Sequence, residues 1–257
     1  MSIGNLFLIG FMAVVMEMVD SGLGMMYGTL LSPLLILMGY NPKLVVPSIL
    51  ISQAAGGVTG AIGHHMRGNA DFGGWTKAMK ISMAIIVPGL LACVAGVYCG
   101  KLVPVMWMKT YIGILVIVMG FLCLFPIYYT FSWKNMYIVG LLSGFNKAFS
   151  GGGFGPVTST GKILGGVDPK VSISTTTLAE GPICMLGFIL WWLLGGGLAW
   201  QFPATLCAGA LIGGYLGPII TKKFKNMKML RWVVGALAVI SGIWLLVDLL
   251  LGLRMGQ

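Results

Sequence analysis

The sequence predicts an all-α polytopic membrane protein: two inverted repeats of about five membrane segments each, with glycine-broken helices. Three observations carry that prediction. Of 257 residues, 58% are hydrophobic and 9% charged, and six acids with sixteen bases cannot cover a water-soluble surface of that size. Apolar runs fill the chain and leave no long polar stretch for a separate soluble domain, so residues 1–257 read as one membrane domain. Finally, Ser21–Lys43 (SGLGMMYGTLLSPLLILMGYNPK) and Ala148–Lys170 (AFSGGGFGPVTSTGKILGGVDPK) share Gly24/Gly151, Gly28/Gly155, Ser32/Ser159, Gly39/Gly166 and Pro42-Lys43/Pro169-Lys170. That common offset of 127 residues marks a duplicated unit, residues 1–127 against residues 128–257.

The segments follow in order. Ile3–Val19 has no basic stretch before it and no small-residue cleavage pattern after it, so it reads as a retained span rather than a signal peptide. Leu23–Met38 is short and interrupted by glycine, and Leu44–Ile62, Ile81–Gly100 and Tyr111–Phe125 complete the first half. The second half runs Met136–Phe149, the glycine-rich Phe154–Leu164, Val171–Leu194, Phe202–Ile220 and Leu230–Leu250. The longer runs can cross about 30 Å of hydrocarbon, and whether the short ones cross decides the topology.

Charge placement tests the alternatives. If all ten segments cross, Arg67, Lys77, Lys80, Lys134, Lys170, Lys222, Lys223, Lys225, Lys228 and Arg231 share one face, leaving Lys43, Lys101, Lys109 and Arg254 on the other. The positive-inside rule then places the first group in the cytoplasm and both termini outside. Re-entrant hairpins would instead put Arg67–Lys80 and Lys222–Arg231 on opposite faces, a poorer fit. An odd number of crossings per repeat inverts one half relative to the other. The loops agree: the one after the third segment is basic while its partner, Gly195–Ala199, is uncharged, and the one after the fourth has fewer lysines than its partner, Thr221–Met229.

Trp75, Trp107, Trp133 and Trp200 fall near segment ends, where an amphipathic ring suits the headgroup region. The basic loops can attract anionic lipid. Nucleic acid is a poor partner for the +10 charge, because the bases are divided among loops without an aromatic platform. Cys93, Cys99, Cys123, Cys184 and Cys207 lie in apolar runs without a Cys-x-x-Cys pattern and read as small buried side chains. His64 and His65, with no acidic cluster nearby, read as a solvated helix end rather than a metal site. No nucleophile, acid/base pair or cofactor fingerprint can be assembled, so the sequence predicts neither an enzyme nor a cofactor.

The chemistry concentrates at the two glycine motifs. Ser150-Gly151-Gly152-Gly153 predicts a chain break at membrane depth, matched by Ser21-Gly22-Leu23-Gly24 in the first half. N–H groups at such a break cannot face lipid, but they can face a cavity, and the positive end of a broken helix suits an anion. Close helix packing is the competing use of the same glycines. Lys147, directly before the second break, is the best candidate to attract an anion, with Asn146 and Ser150 as neutral partners.

Lys147 aligns with Asp20 between the repeats, so an ion pair of the two near a pseudo-two-fold axis is one reading and interfacial placement is the other. Glu180 aligns with Gln53 and lies well inside an apolar run, where a carboxyl needs water, a partner or a proton. Glu17, Asp20 and Glu180 are therefore the coupling candidates, and Gln53 faces the same centre by repeat symmetry. Thr158, Thr175 and Thr176 can offer hydroxyls to an oxyanion or bond to their own helix. Lys162 is expected to extend to the headgroups and Asp248 to be interfacial.

Gly24-x-x-x-Gly28 with Asn41-Pro42-Lys43, and Gly151-x-x-x-Gly155 with Asp168-Pro169-Lys170, resemble the TauE/SafE family of sulfite and organosulfonate exporters and anion permeases. The resemblance runs from the Met-Val-Asp-Ser-Gly-Leu-Gly segment through Leu250. It implies an inner-membrane carrier of small sulfur-containing or carboxylated anions, while the basic loops, the buried acids and the duplicated architecture add lipid, protons and a second copy of the chain as expected partners. This chain departs from the pattern at Met25 and Met26, where the second half has Gly152 and Gly153.

Overall fold

A computed structural model describes residues 3–125, 132–160, 162, 166–195, 199–223 and 228–252. Every described element is helical: α1 (Ile3–Leu23), α2 (Tyr27–Leu37), α3 (Pro42–Met66), α4 (Lys77–Leu102), α5 (Val105–Leu124), α6 (Trp133–Ser150), a π segment (Pro156–Thr160), α7 (Pro169–Gly195), α8 (Gln201–Lys223) and α9 (Lys228–Leu250). Ile163 and Leu164, Lys225, Arg254 and the middle of the Gly195–Ala199 loop, all used in the charge and segment reading, lie outside the described residues.

Among the described residues, seven helices are long and apolar enough to cross a membrane: α1, α3, α4, α5, α7, α8 and α9. By contrast α2 has 11 residues, roughly 17 Å at the helical rise, which is well short of the hydrocarbon thickness. Neither it nor the described five-residue π segment is long enough to cross.

The repeated sequence motifs have a local physical meaning. Asn41 caps α3, its side chain accepting from the Lys43 N–H at 2.9 Å with Pro42 in the first turn. Asp168 does the same for α7, accepting from the Lys170 N–H at 2.9 Å. The shared Gly39 and Gly166 take left-handed conformations, φ 94° and 85°, and equivalent bonds close both turns: Tyr40 N–H to Leu35 O and Val167 N–H to Lys162 O.

Packing follows the small residues, as expected where lipid removes the hydrophobic drive between helices. Helix α1 lies along α8, α6 along α4 and α5 along α9, while α3 and α7 pack on each other and on α8 and α4. Along α5 and α9, Gly113 faces Gly242 and Gly120 faces Gly235, so a methyl group at any of them would meet the partner's backbone or a buried side chain. Trp75, Trp107, Trp133 and Trp200 are exposed at or beside helix ends. Cys93, Cys123 and Cys184 are buried, but Cys99 is exposed on α4, contrary to the sequence reading.

Candidate functional site

Two chain breaks meet at the centre. In the first half α1 runs through Ser21 and Gly22 to Leu23, so the break falls at Gly24–Met26, later than expected. Gly22 sits in the last turn of α1, where an added Cβ would touch Ile220 and Gly217 of α8 at 3.1–3.2 Å. In the second half α6 ends at Ser150 with Gly151 left-handed at φ 75°. The breaks cross reciprocally: a Cβ on Gly28 would collide with the Gly151 carbonyl, and one on Gly155 with the Gly24 carbonyl. Ser32 Oγ donates to Ser150 O at 2.9 Å and Ser159 Oγ to Gly24 O at 2.9 Å, stitching each short segment to the opposite break.

The N–H groups of the second break are already hydrogen-bonded. Gly151 N–H bonds to Lys147 O at 2.9 Å, Gly152 N–H to Ser150 Oγ at 3.2 Å, and Gly153 N–H reaches Thr29 Oγ1 at 3.5 Å. These donors are already used, which corrects the expectation that they are presented free to an anion. At the other break the Asp20 carboxylate takes the Tyr27 N–H at 3.1 Å, an acid at a helix N-terminus.

Beside the crossing, four buried side chains from α1, α3, α6 and α7 form one network. Gln53 Nε2 donates to Asp20 Oδ2 at 2.9 Å and to Glu180 Oε1 at 3.1 Å, while Lys147 Nζ donates to Gln53 Oε1 and to Glu180 Oε1 at 3.1 Å. The ion pair is therefore Lys147 with Glu180. Asp20 joins through Gln53, which corrects the anticipated Asp20–Lys147 pair. The reason is reach: repeat symmetry brings Asp20 and Lys147 into one cluster, but the facing carboxylate on α7 and the amide on α3 lie between them. Close approach of α3 and α7 at Gly57 and Gly181, where a Cβ on Gly57 would come within 3.1 Å of Gly181 Cα, holds Gln53 and Glu180 together.

The remaining candidates divide. Asn146 accepts from the Tyr111 hydroxyl, and Ser150 Oγ donates to Asn146 O at 2.7 Å. Thr158 bonds to Phe154 O of its own segment at 2.8 Å, away from the network. Thr175 and Thr176 hydroxyls donate to Ser172 O at 3.0 and 2.9 Å and accept from Lys162 Nζ at 2.7 and 2.9 Å. Lys162 is thus fully buried and does not extend to headgroups. Glu17 packs its carboxyl against Gly56 of α3, and its Oε2 is buried without a hydrogen-bond partner.

His64 also departs from the sequence reading: it is buried, with Nε2 2.9 Å from Ser21 O and Nδ1 3.0 Å from Asn69 Nδ2. A carbonyl can only accept, so Nε2 carries the hydrogen and the ring ties α3 to the end of α1. His65 is exposed as expected. Tyr27, whose hydroxyl meets Ser52 Oγ at 2.8 Å, is a buried polar residue that is not among the sequence candidates. Its position directly after the first break was the available signal. A cavity of about 260 Å³ lined by Met12, Leu34, Leu37, Met38, Trp244 and Asp248 lies apart from the network and offers a single charged group, so it does not match the anion chemistry.

The chain is 24% identical over 254 residues to the "Probable membrane transporter protein YtnM" of Bacillus subtilis, covering 92% of this chain and 81% of that relative. No solved structure matches it significantly. The profile of the family described as "Sulfite exporter TauE/SafE" matches residues 6–245. Proteins of this family are membrane transporters associated with small anions, not enzymes. With nearly its whole length matched, this chain belongs to the TauE/SafE family.

Proposed function

We propose that the protein is a secondary transporter of a small sulfur-containing or organic anion, of the sulfite, sulfonate or carboxylate class, in the cytoplasmic membrane. The observation that carries this reading is the buried Lys147–Gln53–Glu180–Asp20 network beside two crossing chain breaks. The network members are two pairs of repeat-equivalent residues, each 127 apart. Swapping the halves also exchanges α1 on α8 for α6 on α4, which supports inverted repeats of residues 1–127 and 128–257 moving about a central site by alternating access.

Lys147 is the anion's electrostatic anchor, and Glu180 is its internal competitor. An incoming oxyanion must displace the carboxylate from Lys147, and a proton gained by the central acids lowers the negative charge that opposes its entry. Glu17 is suited to hold such a proton because its Oε2 has no donor facing it, whereas Asp20 and Glu180 already accept charge-assisted or amide bonds. Family membership supports the inner-membrane location, and the buried acids motivate the proton coupling.

The test is flux in reconstituted vesicles across sulfite, thiosulfate, taurine, methanesulfonate and small carboxylates. Saturable flux of at least one is expected. Folded, inserted protein that neither binds nor moves any of them would overturn the transport reading, and chemical conversion of an anion without net flux would replace it with an enzymatic one.

A further inference from the structure

Lys162 sits where a bare charge is costly. Its side chain is fully buried, and among the described residues no carboxylate lies within the 4.0 Å of an ion pair. Its two polar neighbours, the Thr175 and Thr176 hydroxyls, spend their own protons on Ser172 O and turn lone pairs toward Nζ. They orient the ammonium without neutralising it, and among the described residues one of its three N–H bonds has no acceptor. Burying such a group costs several kcal/mol unless an opposite charge arrives.

Its location is also informative. Thr176 and Glu180 are four residues apart on α7, hence on one face and roughly one 5.4 Å turn from each other. Lys162 holds the first position and Lys147 the second. The repeat counterpart of Lys162 is Leu35, a fully buried apolar residue, so this cation is not required by the duplicated fold.

We propose that Lys162, oriented by Thr175 and Thr176, is a second anion-binding position of the central site and sets its preference for doubly over singly charged oxyanions. This rests on the transport reading above. An oxyanion lying along this face of α7 can touch both ammonium groups, one through each of two oxygens. A divalent anion then gains from both lysines, while a monovalent anion of the same shape satisfies only one.

Sulfate and methanesulfonate form a suitable probe pair, being tetrahedral and similar in size but differing by one charge. Binding is measured on the full-length protein in lipid nanodiscs. Wild type is expected to favour sulfate by about tenfold or more, the loss of one charge-assisted contact. Lys162→Met should erase most of that ratio, and Lys162→Arg should keep it. A general packing defect would weaken both probes together and leave the ratio unchanged. For a reading independent of the variants' folding, selenate bound to wild-type crystals should give an anomalous peak within hydrogen-bonding reach of Lys162 Nζ. A ratio unaltered in Lys162→Met, no sulfate preference in wild type, or a selenate peak away from Lys162 overturns the assignment. Each of these outcomes leaves the vesicle flux assay to decide transport separately.

Discussion

The two breaks share a backbone plan but differ in chemistry. The first is made of Gly24, Met25 and Met26 and is followed by α2, whose N-terminus is met by the Asp20 carboxylate. The second is Gly151, Gly152 and Gly153, preceded by Lys147 and followed by the short π segment and Lys162. Met26 occupies φ 148°, a region its equivalent Gly153, at φ 79°, enters from the same side without a side chain. One half thus offers its acid to its own helix end and the other leaves its bases for the centre. The duplication supplied the crossing, and divergence between the copies supplied the charge asymmetry that an anion site needs.

The largest effect is expected where the breaks depend on each other. Gly28→Ala or Gly155→Ala puts a methyl group into the opposite backbone, which cannot rotate away, and should cost about 3 kcal/mol or more. A lowered melting temperature and loss of monodisperse protein in detergent are the readouts. Unchanged melting would remove the reciprocal crossing from consideration.

The ion pair is expected to matter about as much. Lys147→Ala strands the Glu180 carboxylate in the interior and should cost about 3–5 kcal/mol, most of it recovered when Glu180→Gln is added. Recovery by Asp20→Asn instead would show that the pairing partner differs from the one described.

Glu17→Gln is expected to change stability by less than about 1 kcal/mol, because the replaced oxygen has no hydrogen bond to lose. Its effect should be on coupling. With voltage clamped, acidifying the loading side should speed anion flux in wild type, since proton and anion enter together, and the variant should lose that response. A variant that responds as wild type does excludes Glu17 from the proton path. The smallest change is expected from making the first break resemble the second: in Met26→Gly, relief of about 1 kcal/mol of backbone strain is offset by a similar entropic cost of glycine. Melting and flux should both stay close to wild type, and a large loss would give the Met26 side chain a role of its own.

Most segment boundaries were legible because hydropathy and caps are local: Asn41-Pro42 and Asp168-Pro169 mark helix starts within a residue or two. The convergence of Asp20, Lys147, Gln53 and Glu180 could also be anticipated from the offset of 127 residues. What that offset could not supply was who touches whom. Symmetry relates Asp20 to Lys147, but the side chain that meets the lysine comes from α7. Lys162 and His64 were misplaced for a related reason: both lie close in sequence to polar residues, and only three-dimensional packing shows that the π segment and the His64 side of α3 face the interior.

The most direct measurement of the central network is anion binding by the double variant Lys147→Met/Glu180→Gln in lipid nanodiscs. Removing both charges leaves no stranded ion, so the protein should fold and insert, and melting close to wild type checks that it has. The expected result is loss of anion binding by at least about tenfold, because the anchoring ammonium is gone. Wild-type affinity in the folded double variant would contradict a substrate-binding role for the network.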